Sequence, residues 1–209
     1  MSSDKGQLIV ISAPSGAGKT SIIKNVIKKL NDGNRKSKFS VSHTTRLPRE
    51  GDIDGSDYFF VTNEIFDELY EAGNFIETAE VHDYKYGTSK DFIDENINQG
   101  INVFLEIDVQ GVQKLRNRNI EFRSMFILPP SIEELRKRIQ KRGLDSEDVI
   151  EKRMKNALKE LGEAEEYDYL VINDVFEQAI EELLEIVINK DFKDQTHDKK
   201  LKILQDLLS

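Results

Sequence analysis

A stretch of eight residues from Ala13 to Thr20 has the residue types of a loop that binds phosphate. It reads Ala-Pro-Ser-Gly-Ala-Gly-Lys-Thr and fits the pattern G-x-x-x-x-G-K-[ST], with Ala13 in place of the first glycine. Gly16 and Gly18 let the backbone turn with its N–H groups facing an anion. Lys19 adds a positive point charge, and Thr20 adds a hydroxyl group. The stretch therefore predicts an anion cradle, whereas the simpler alternative is a glycine-rich turn with a solvated lysine.

The segments on either side of this loop have the patterns of a buried strand and an amphipathic helix. Residues 8–12 read Leu-Ile-Val-Ile-Ser, a run typical of a strand that is buried on both faces. After the loop, apolar residues recur at helical spacing at positions 22, 23, 26, 27 and 30. A polar stretch with Gly33 should end this helix. Strand, loop and helix in this order form the context that a phosphate loop requires.

Strands and helices alternate in the rest of the predicted core. Further buried strands are predicted at residues 101–108, 124–128 and 169–173, and helices at 132–142, 146–161 and 175–187. Such alternation implies a mainly parallel sheet with right-handed crossovers. We therefore expect an α/β fold.

Residues 39–98 have a different pattern, which predicts a small sheet with helices inserted into the core. Short strands are expected at 39–42, 58–61, 75–82 and 84–88. Ser89 is a candidate cap for a helix that follows the last of these strands. Another helix, at 64–72, should turn four apolar side chains inward, namely Ile65, Phe66, Leu69 and Tyr70.

Composition limits the function classes. The chain has 209 residues, 38% of them hydrophobic, which is enough to close one substantial core. Its formal net charge of −9 argues against nucleic acid or an anionic membrane as the main partner, because phosphate polymers are bound through an excess of Lys and Arg. The absence of cysteine and of a long apolar run favours a cytoplasmic protein. Near the end of the chain, residues 191–200 are predicted as a linker and 201–208 as a short helix.

Two other functional classes have partial signals. Asp108-Val-Gln-Gly111 matches the D-x-x-G motif of regulatory GTPases, but the N-K-x-D motif that these proteins need to bind guanine does not follow at the required spacing. His43, His82 and His197 are too scattered to suggest a metal site, and no Ser-His-Asp arrangement is visible. The GTPase and hydrolase hypotheses are therefore weak.

A series of short motifs, in the same order along the chain, resembles the guanylate kinase family. Beyond the loop, the motifs are Ser42-x-Thr-Thr-Arg46-x-Pro-Arg49, Asp57-Tyr58, Phe75-Ile-Glu77, Tyr86-Gly-Thr88, Glu106-Ile-Asp108-x-Gln-Gly111, Arg142-Gly143, Lys152-Arg153 and Tyr167-Asp-Tyr-x-x-x-Asn173-Asp174. The match runs from about residue 8 to residue 179, and its pieces lie far apart. It implies an enzyme that phosphorylates GMP to GDP with ATP and Mg²⁺, in purine nucleotide metabolism.

The resemblance also implies how a single domain of residues 1–209 is divided. A three-layer core of the phosphate-loop NTPase type would comprise about 1–38, 99–131 and 162–190. A small α+β subdomain at about 39–98 would bind GMP, and a helical lid at about 132–161 would close over the phosphates. Residues 191–209 would form a tail.

Site residues follow from the same resemblance, one motif position at a time. The implied ATP-binding residues are Ala13, Pro14, Ser15, Gly16, Ala17, Gly18, Lys19, Thr20, Arg138 and Asn173. The implied GMP-binding residues are Ser42, Arg46, Arg49, Tyr58, Glu77, Tyr86, Thr88, Glu106 and Asp108. Catalysis would rest on Lys19, Arg46, Arg142 and Arg153, and Thr20 would bind the metal ion.

Elementary chemistry agrees with these implied roles. A phosphate monoester is largely dianionic near neutral pH, so its phosphorylation requires no general base but does require positive charge and in-line positioning. Guanine carries N–H donors at N1 and N2, which carboxylates such as Glu77 and Asp108 are suited to accept. A catalytically inactive guanylate-kinase-like binding module is the main alternative. We expect ATP and GMP as partners, with dGMP plausible, and neither nucleic acid nor membrane; the oligomeric state is left open.

Overall fold

The structure is a computed structural model and describes residues 5–81, 83–141, 146–189 and 191–208. In chain order its strands are β1 (Leu8–Ser12), β2 (Ser37–Phe39), β3 (His43–Thr44), β4 (Phe59–Phe60), β5 (Phe75–Val81), β6 (Tyr84–Ser89), β7 (Asn102–Glu106), β8 (Arg123–Leu128) and β9 (Tyr169–Ile172). Its α-helices are α1 (Lys19–Asp32), α2 (Asn63–Glu71), α3 (Lys90–Asn98), α4 (Val109–Asn117), α5 (Ile132–Lys141), α6 (Glu147–Gly162), α7 (Phe176–Ile188) and α8 (His197–Leu208).

The larger sheet has five parallel strands in the order β2-β7-β1-β8-β9. Side chains alternate along β1, so that Ile9 and Ile11 face the core formed with α1 and α7, while Leu8 and Val10 face the core on the other side. That second core includes α4, α5, α6 and α8. The predicted α/β fold with a mainly parallel sheet is confirmed.

The smaller sheet has four strands in the order β4-β3-β6-β5, with antiparallel pairs on both sides of β6. Helix α2 covers this sheet through Phe66, whose ring stacks on Phe75 with the ring centroids 4.8 Å apart. The prediction that Ile65 and Tyr70 face inward is wrong, since they are 46% and 55% exposed. Phe66 is the one buried residue of α2, so the small sheet covers only part of the apolar face of this helix.

Several predicted boundaries are also corrected. The strand expected at 39–42 lies at Ser37–Phe39, and the one expected at 101–108 ends at Glu106. Asp108 caps α4, a helix that the sequence pattern did not predict, by accepting a hydrogen bond of 2.8 Å from the Gly111 amide. The D-x-x-G match is therefore a helix N-terminus in this chain. The linker expected at 191–200 is wrong at its end, because α8 begins at His197.

No helix within the described ranges is both long and apolar enough to span a bilayer. Helix α8 instead packs against α6 and β9, with Leu204 and Leu207 in the core that α6 shares. The last helix of the chain is thus part of the fold.

Candidate active site

The phosphate loop lies where β1 ends, at the carboxyl edge of the parallel sheet, and β7 and β9 end at the same edge. Gly16 and Gly18 have φ values of 94° and 84°, in the left-handed region that favours glycine. A Cβ at Gly18 would lie 2.9 Å from Asn173 Nδ2. Asn173, which follows β9, donates a hydrogen bond of 2.6 Å to the Ala17 carbonyl. The side chain predicted to contact ATP therefore also supports the loop.

Glu106, at the end of β7, faces the first residues of α1. Its carboxylate accepts hydrogen bonds of 3.1 and 2.9 Å from the Thr20 hydroxyl, and its Oε1 lies 3.6 Å from Lys19 Nζ. Within the described ranges no group of three or more His, Cys, Asp or Glu residues forms a metal site. Mg²⁺ requires few protein ligands and prefers oxygen. The Thr20 hydroxyl and the Glu106 carboxylate fit that ion.

Arg46 lies in the inserted subdomain, and its side chain is 9% exposed. Its guanidinium donates to Asp52 Oδ2 and to the Leu47 carbonyl, each at 2.8 Å, and it lies over the ring of Tyr58 at 5.3 Å. Asp52 also accepts a hydrogen bond from the Arg49 amide, and these donors lower its pKa. The interactions hold the Arg46 fork in one orientation.

Tyr58 and Tyr86 form an edge-on pair with ring centroids 5.8 Å apart. Burial raises the pKa of Tyr58 further above its ordinary value, at which the hydroxyl is already neutral at physiological pH. A pocket of about 180 Å³ opens beside this pair and is lined by Thr20, Ser42, Tyr58 and Glu106, among others. One concave space thus joins the end of the phosphate loop to the subdomain that holds Arg46.

Glu77, on β5, is 3% exposed. Its Oε1 accepts a hydrogen bond of 2.6 Å from the Thr88 hydroxyl, whereas its Oε2 is buried without a hydrogen-bond partner. Burial raises the pKa of Glu77, and the nearby charge of Asp108 adds to this. A buried oxygen without a donor is costly unless a ligand supplies one.

A cleft of about 720 Å³ lies between α4 and α6, and Asp108, Gln110, Asn156 and Glu160 line part of it. From α6, Arg153 reaches the phosphate loop and donates a hydrogen bond of 3.1 Å to the Ser15 hydroxyl. From α5, Arg138 donates to the Asn173 carbonyl at 3.1 Å and to Glu134 at 2.8 Å. Within the lid expected at 132–161, Arg153 thus contacts the phosphate loop directly and Arg138 contacts Asn173, which supports that loop.

Comparisons with known proteins agree with this geometry. Residues 5–190 match the family model described as guanylate kinase. The chain is 46% identical to a guanylate kinase of Caldanaerobacter subterraneus subsp. tengcongensis over 203 residues, which cover 97% of both chains. It is 44% identical to one of Escherichia coli (strain K12) over 209 residues, covering 97% of this chain and 99% of that one.

The chain belongs to the guanylate kinase family. A crystal structure of a guanylate kinase from Anaplasma phagocytophilum has the same fold, with a TM-score of 0.70 and 30% identity over 97% of this chain and 95% of that one. The family resemblance in the sequence is thereby confirmed, and the chain is assigned to the nucleoside-monophosphate kinases.

Of the sequence-predicted site residues, Thr20, Ser42, Tyr58 and Glu106 line one pocket, whereas Asp108 lines the separate cleft between α4 and α6. Arg142 lies outside the described residues. Arg49 contacts Asp52 through its backbone, and Asp108 contributes one carboxylate oxygen to the cap of α4.

Sequence reasoning missed one carboxylate, Asp52. It is the partner of Arg46, and its position between two glycines in a polar loop resembles that of many solvated carboxylates. It had no local signal that could have distinguished it.

Proposed function

We propose that this protein transfers the γ-phosphoryl group of ATP to GMP, with Mg²⁺, to form ADP and GDP. The single observation that carries the proposal is the pocket that Thr20 and Glu106 share with Ser42 and Tyr58, because it joins a donor loop to an acceptor subdomain. In-line transfer needs the two phosphates to meet in one space that excludes competing acceptors.

On the donor side, residues 13–20 would hold the β- and γ-phosphates through backbone N–H groups and Lys19. Mg²⁺ bound at Thr20, with Glu106 close by, would supply charge neutralisation across the phosphate oxygens. Lys19 would move from Glu106 to the phosphates, since an ion pair of 3.6 Å between partly exposed groups is weak.

On the acceptor side, Arg46 and Arg49 would bind the GMP phosphate together with the Tyr58 and Tyr86 hydroxyls. The fork of arginine fits phosphate oxygens in two places at once. Arg46 is oriented by Asp52, the Leu47 carbonyl and the Tyr58 ring before any ligand arrives. That preorganisation lowers the cost of fixing a long side chain on binding.

Guanine would be recognised by Glu77 and Asp108, with Ser42 and Thr88 in supporting positions. The buried Glu77 Oε2 supports this assignment, because the N1 and N2 donors of guanine would supply the hydrogen bonds that it lacks. Adenine has no donor at N1, so AMP would leave the carboxylate unpaired. None of the contacts proposed here involves the ribose 2′-hydroxyl of GMP. We therefore include dGMP among the proposed acceptors.

Arg138, Arg142 and Arg153 would close over the transferring phosphoryl group once both substrates are bound. Negative charge on the transferring phosphoryl group is stabilised best by cationic side chains in a closed site from which water is excluded. In the family, an inactive binding module is the competing interpretation. Lys19, Thr20 and Arg153 are all present in this chain, which supports an active enzyme.

The proposal is tested by incubating the purified protein with Mg·ATP and each of GMP, dGMP, IMP, AMP, CMP and UMP, with product separation by chromatography. We expect GDP and dGDP to form, and AMP to be phosphorylated at least about 10⁴-fold less efficiently, as in sites that lose a buried hydrogen-bond partner. Failure to form GDP while GMP still binds would identify an inactive module. A separate incubation with Mg·GTP alone tests the GTPase alternative, which would be favoured by hydrolysis of GTP to GDP and phosphate.

A further inference from the structure

Helix α4 lies along the outer edge of the inserted sheet. Strand β5 is the last in the order β4-β3-β6-β5, so within the described residues one of its edges has no partner strand. Arg118 donates through Nη1 to the carbonyls of Phe75 and Ile76, at 3.1 and 2.6 Å. Lys114, one turn earlier on the same face of α4, donates to the Thr78 carbonyl. Two basic side chains of α4 therefore bind the edge of β5 where a neighbouring strand would otherwise lie.

The segment of β5 that these side chains hold is irregular. In the pairing of β5 with β6, Phe75 lies opposite Ser89 and Glu77 lies opposite Thr88, so Ile76 is an extra residue. Such a bulge leaves one residue outside the regular ladder and bends its strand. The partner strand alone thus does not fix the backbone just before Glu77. The shorter of the two Arg118 hydrogen bonds goes to this extra residue.

The two carboxylates proposed to recognise guanine belong to different parts of the molecule. Glu77 lies on β5, in the inserted sheet, whereas Asp108 caps α4. Helix α4 is fixed to the core of the larger sheet through Val112 and Leu115. A Cβ at Gly111 would lie 3.4 Å from Glu77 Oε2, so the first turn of α4 closely approaches the unpaired oxygen. The N1 and N2 donors of guanine have a fixed spacing, and two acceptors that bind both must keep a fixed relative position.

We propose that Arg118 is a positioning residue for GMP recognition, which together with Lys114 fixes β5 on α4 and so sets the position of Glu77 relative to Asp108. The residues on both sides of Glu77 have their carbonyls held from α4. Arg118 acts through the strand and does not touch the base. The inference rests on the proposed function and deepens it, because it names what holds the two parts of the guanine site in register.

The test compares Arg118→Ala and Arg118→Lys with wild type. Lysine keeps the charge and a donor for a carbonyl, whereas alanine removes both. Arg35, an exposed arginine just before β2, is the matched control through Arg35→Ala and Arg35→Lys. Affinities for GMP and IMP are measured by calorimetry, KM is measured for GMP and ATP, and Tm is measured without ligand. IMP lacks the N2 amino group, so it presents one donor group fewer to the pair of carboxylates.

We expect Arg118→Ala to weaken GMP binding about fivefold, the size of one hydrogen-bond contribution, with a matching rise in KM for GMP. IMP affinity and KM for ATP should stay within about twofold of wild type, so the preference for GMP over IMP should fall. Arg118→Lys should bind GMP more tightly than the alanine variant does, and both Arg35 variants should match wild type. A residue that only protects the edge of the sheet would lower Tm without changing the preference between the two bases.

Three results would overturn the inference: wild-type GMP affinity in Arg118→Ala, an equal loss of affinity for GMP and IMP, or a lysine variant as weak as the alanine variant. If Arg118→Ala does not fold, Lys114→Ala replaces it, with the same loss expected for GMP and the first two results counting against the inference. These binding measurements need no turnover. A wild-type protein that binds GMP but forms no GDP would refute the proposed function, and the GMP and IMP titrations of the variants would still decide the role of Arg118.

Discussion

Two regions of this molecule bury charge, and they treat it differently. The first region is an ion-pair cluster near the C-terminus, formed by Lys200, Glu182 and Asp194. The Lys200 ammonium contacts both carboxylates, with Asp194 Oδ2 at 2.6 Å. The other Asp194 oxygen accepts two hydrogen bonds of 2.8 Å from Thr196. In the inserted sheet, by contrast, Glu77 has one oxygen bound to Thr88 and one with no partner.

The difference teaches how a structural charge can be distinguished from one that awaits a ligand. Lys200 and Glu77 are each 3% exposed, so burial alone does not separate them. Burial opposes ionisation of Asp194, but its hydrogen bonds from Lys200 and Thr196 outweigh burial and lower its pKa. Burial prevails at Glu182 and at Glu77 and raises the pKa of both, so the two regions differ in how completely their charges are paired and not in the direction of the pKa shift. A fully paired buried charge should therefore affect stability, and an incompletely paired one should affect binding.

The largest expected effect is on stability, in Lys200→Met. Removing the ammonium leaves Glu182 and Asp194 without their shared cation, and breaking a buried ion pair from one side costs about 3–5 kcal/mol. For a chain of this size the loss corresponds to a Tm that is lower by roughly 6–20 °C. Turnover at a temperature where the variant is folded should equal that of wild type.

Lys199→Met is the matched control, because Lys199 precedes Lys200 on α8 and its side chain is exposed. Its Tm should stay within about 2 °C of wild type. A Lys200→Met variant with wild-type Tm would mean that the C-terminal ion-pair cluster contributes no net stability. The claim that a fully paired buried charge stabilises the fold would then be refuted.

Lys19→Met should show the opposite behaviour. The Lys19 ammonium lies 3.6 Å from Glu106, which is too far for a hydrogen bond, so we expect this pair to contribute little stability. Loss of a charge that acts on the donor phosphates should lower kcat by roughly 10²–10³, as removal of one transition-state donor does elsewhere. GMP affinity and Tm should be unchanged. Lys28→Met, on an exposed position of the same helix, is the control, and near-wild-type turnover in Lys19→Met would refute the phosphate-loop assignment.

The buried strands of the parallel sheet could be predicted from the sequence better than the buried ion pairs could. The strands β1, β8 and β9 were found because runs such as Leu-Ile-Val-Ile are buried on both faces, a pattern that depends on local residues alone. The C-terminal ion-pair cluster was missed because Lys200 and Asp194 lie in a polar stretch whose composition is typical of a linker. Its role arises from Glu182, on α7, which only tertiary structure brings to Lys200.

The candidate site divides in the same way. The loop from Ala13 to Thr20 could be recognised from its own residues, since glycine, lysine and threonine have fixed roles at fixed spacing. Asp52 could not, because a carboxylate in a loop has no local mark of the partner that it will meet, which here is Arg46. Glu77 was named through the family motif, but its unpaired oxygen is a property of the folded sheet.

The smallest expected effect is that of Glu77→Gln, which tests whether an incompletely paired buried carboxylate acts in ligand binding. Glutamine can still accept the Thr88 hydroxyl, but it offers guanine one acceptor fewer than a carboxylate does. We expect kcat/KM for GMP to fall about tenfold, a change of about 1.4 kcal/mol, and the preference for GMP over AMP to narrow. Glu80→Gln, on an exposed position of the same strand, should leave both quantities unchanged.

The same Glu77→Gln variant should be at least as stable as wild type without ligand, and the difference should depend on pH. Because burial raises the pKa of Glu77 in the folded state, the unfolded chain loses this proton first as pH rises. Wild type should therefore lose stability between the ordinary pKa of a glutamate and the raised value, and the loss should be complete above that value. Glutamine does not titrate, so the Tm of the variant relative to wild type should rise across this window and then level off. Thermal melts from pH 4 to pH 8 measure this, and a variant that becomes relatively less stable as pH rises would show that the Glu77 carboxylate is already paired in the free protein.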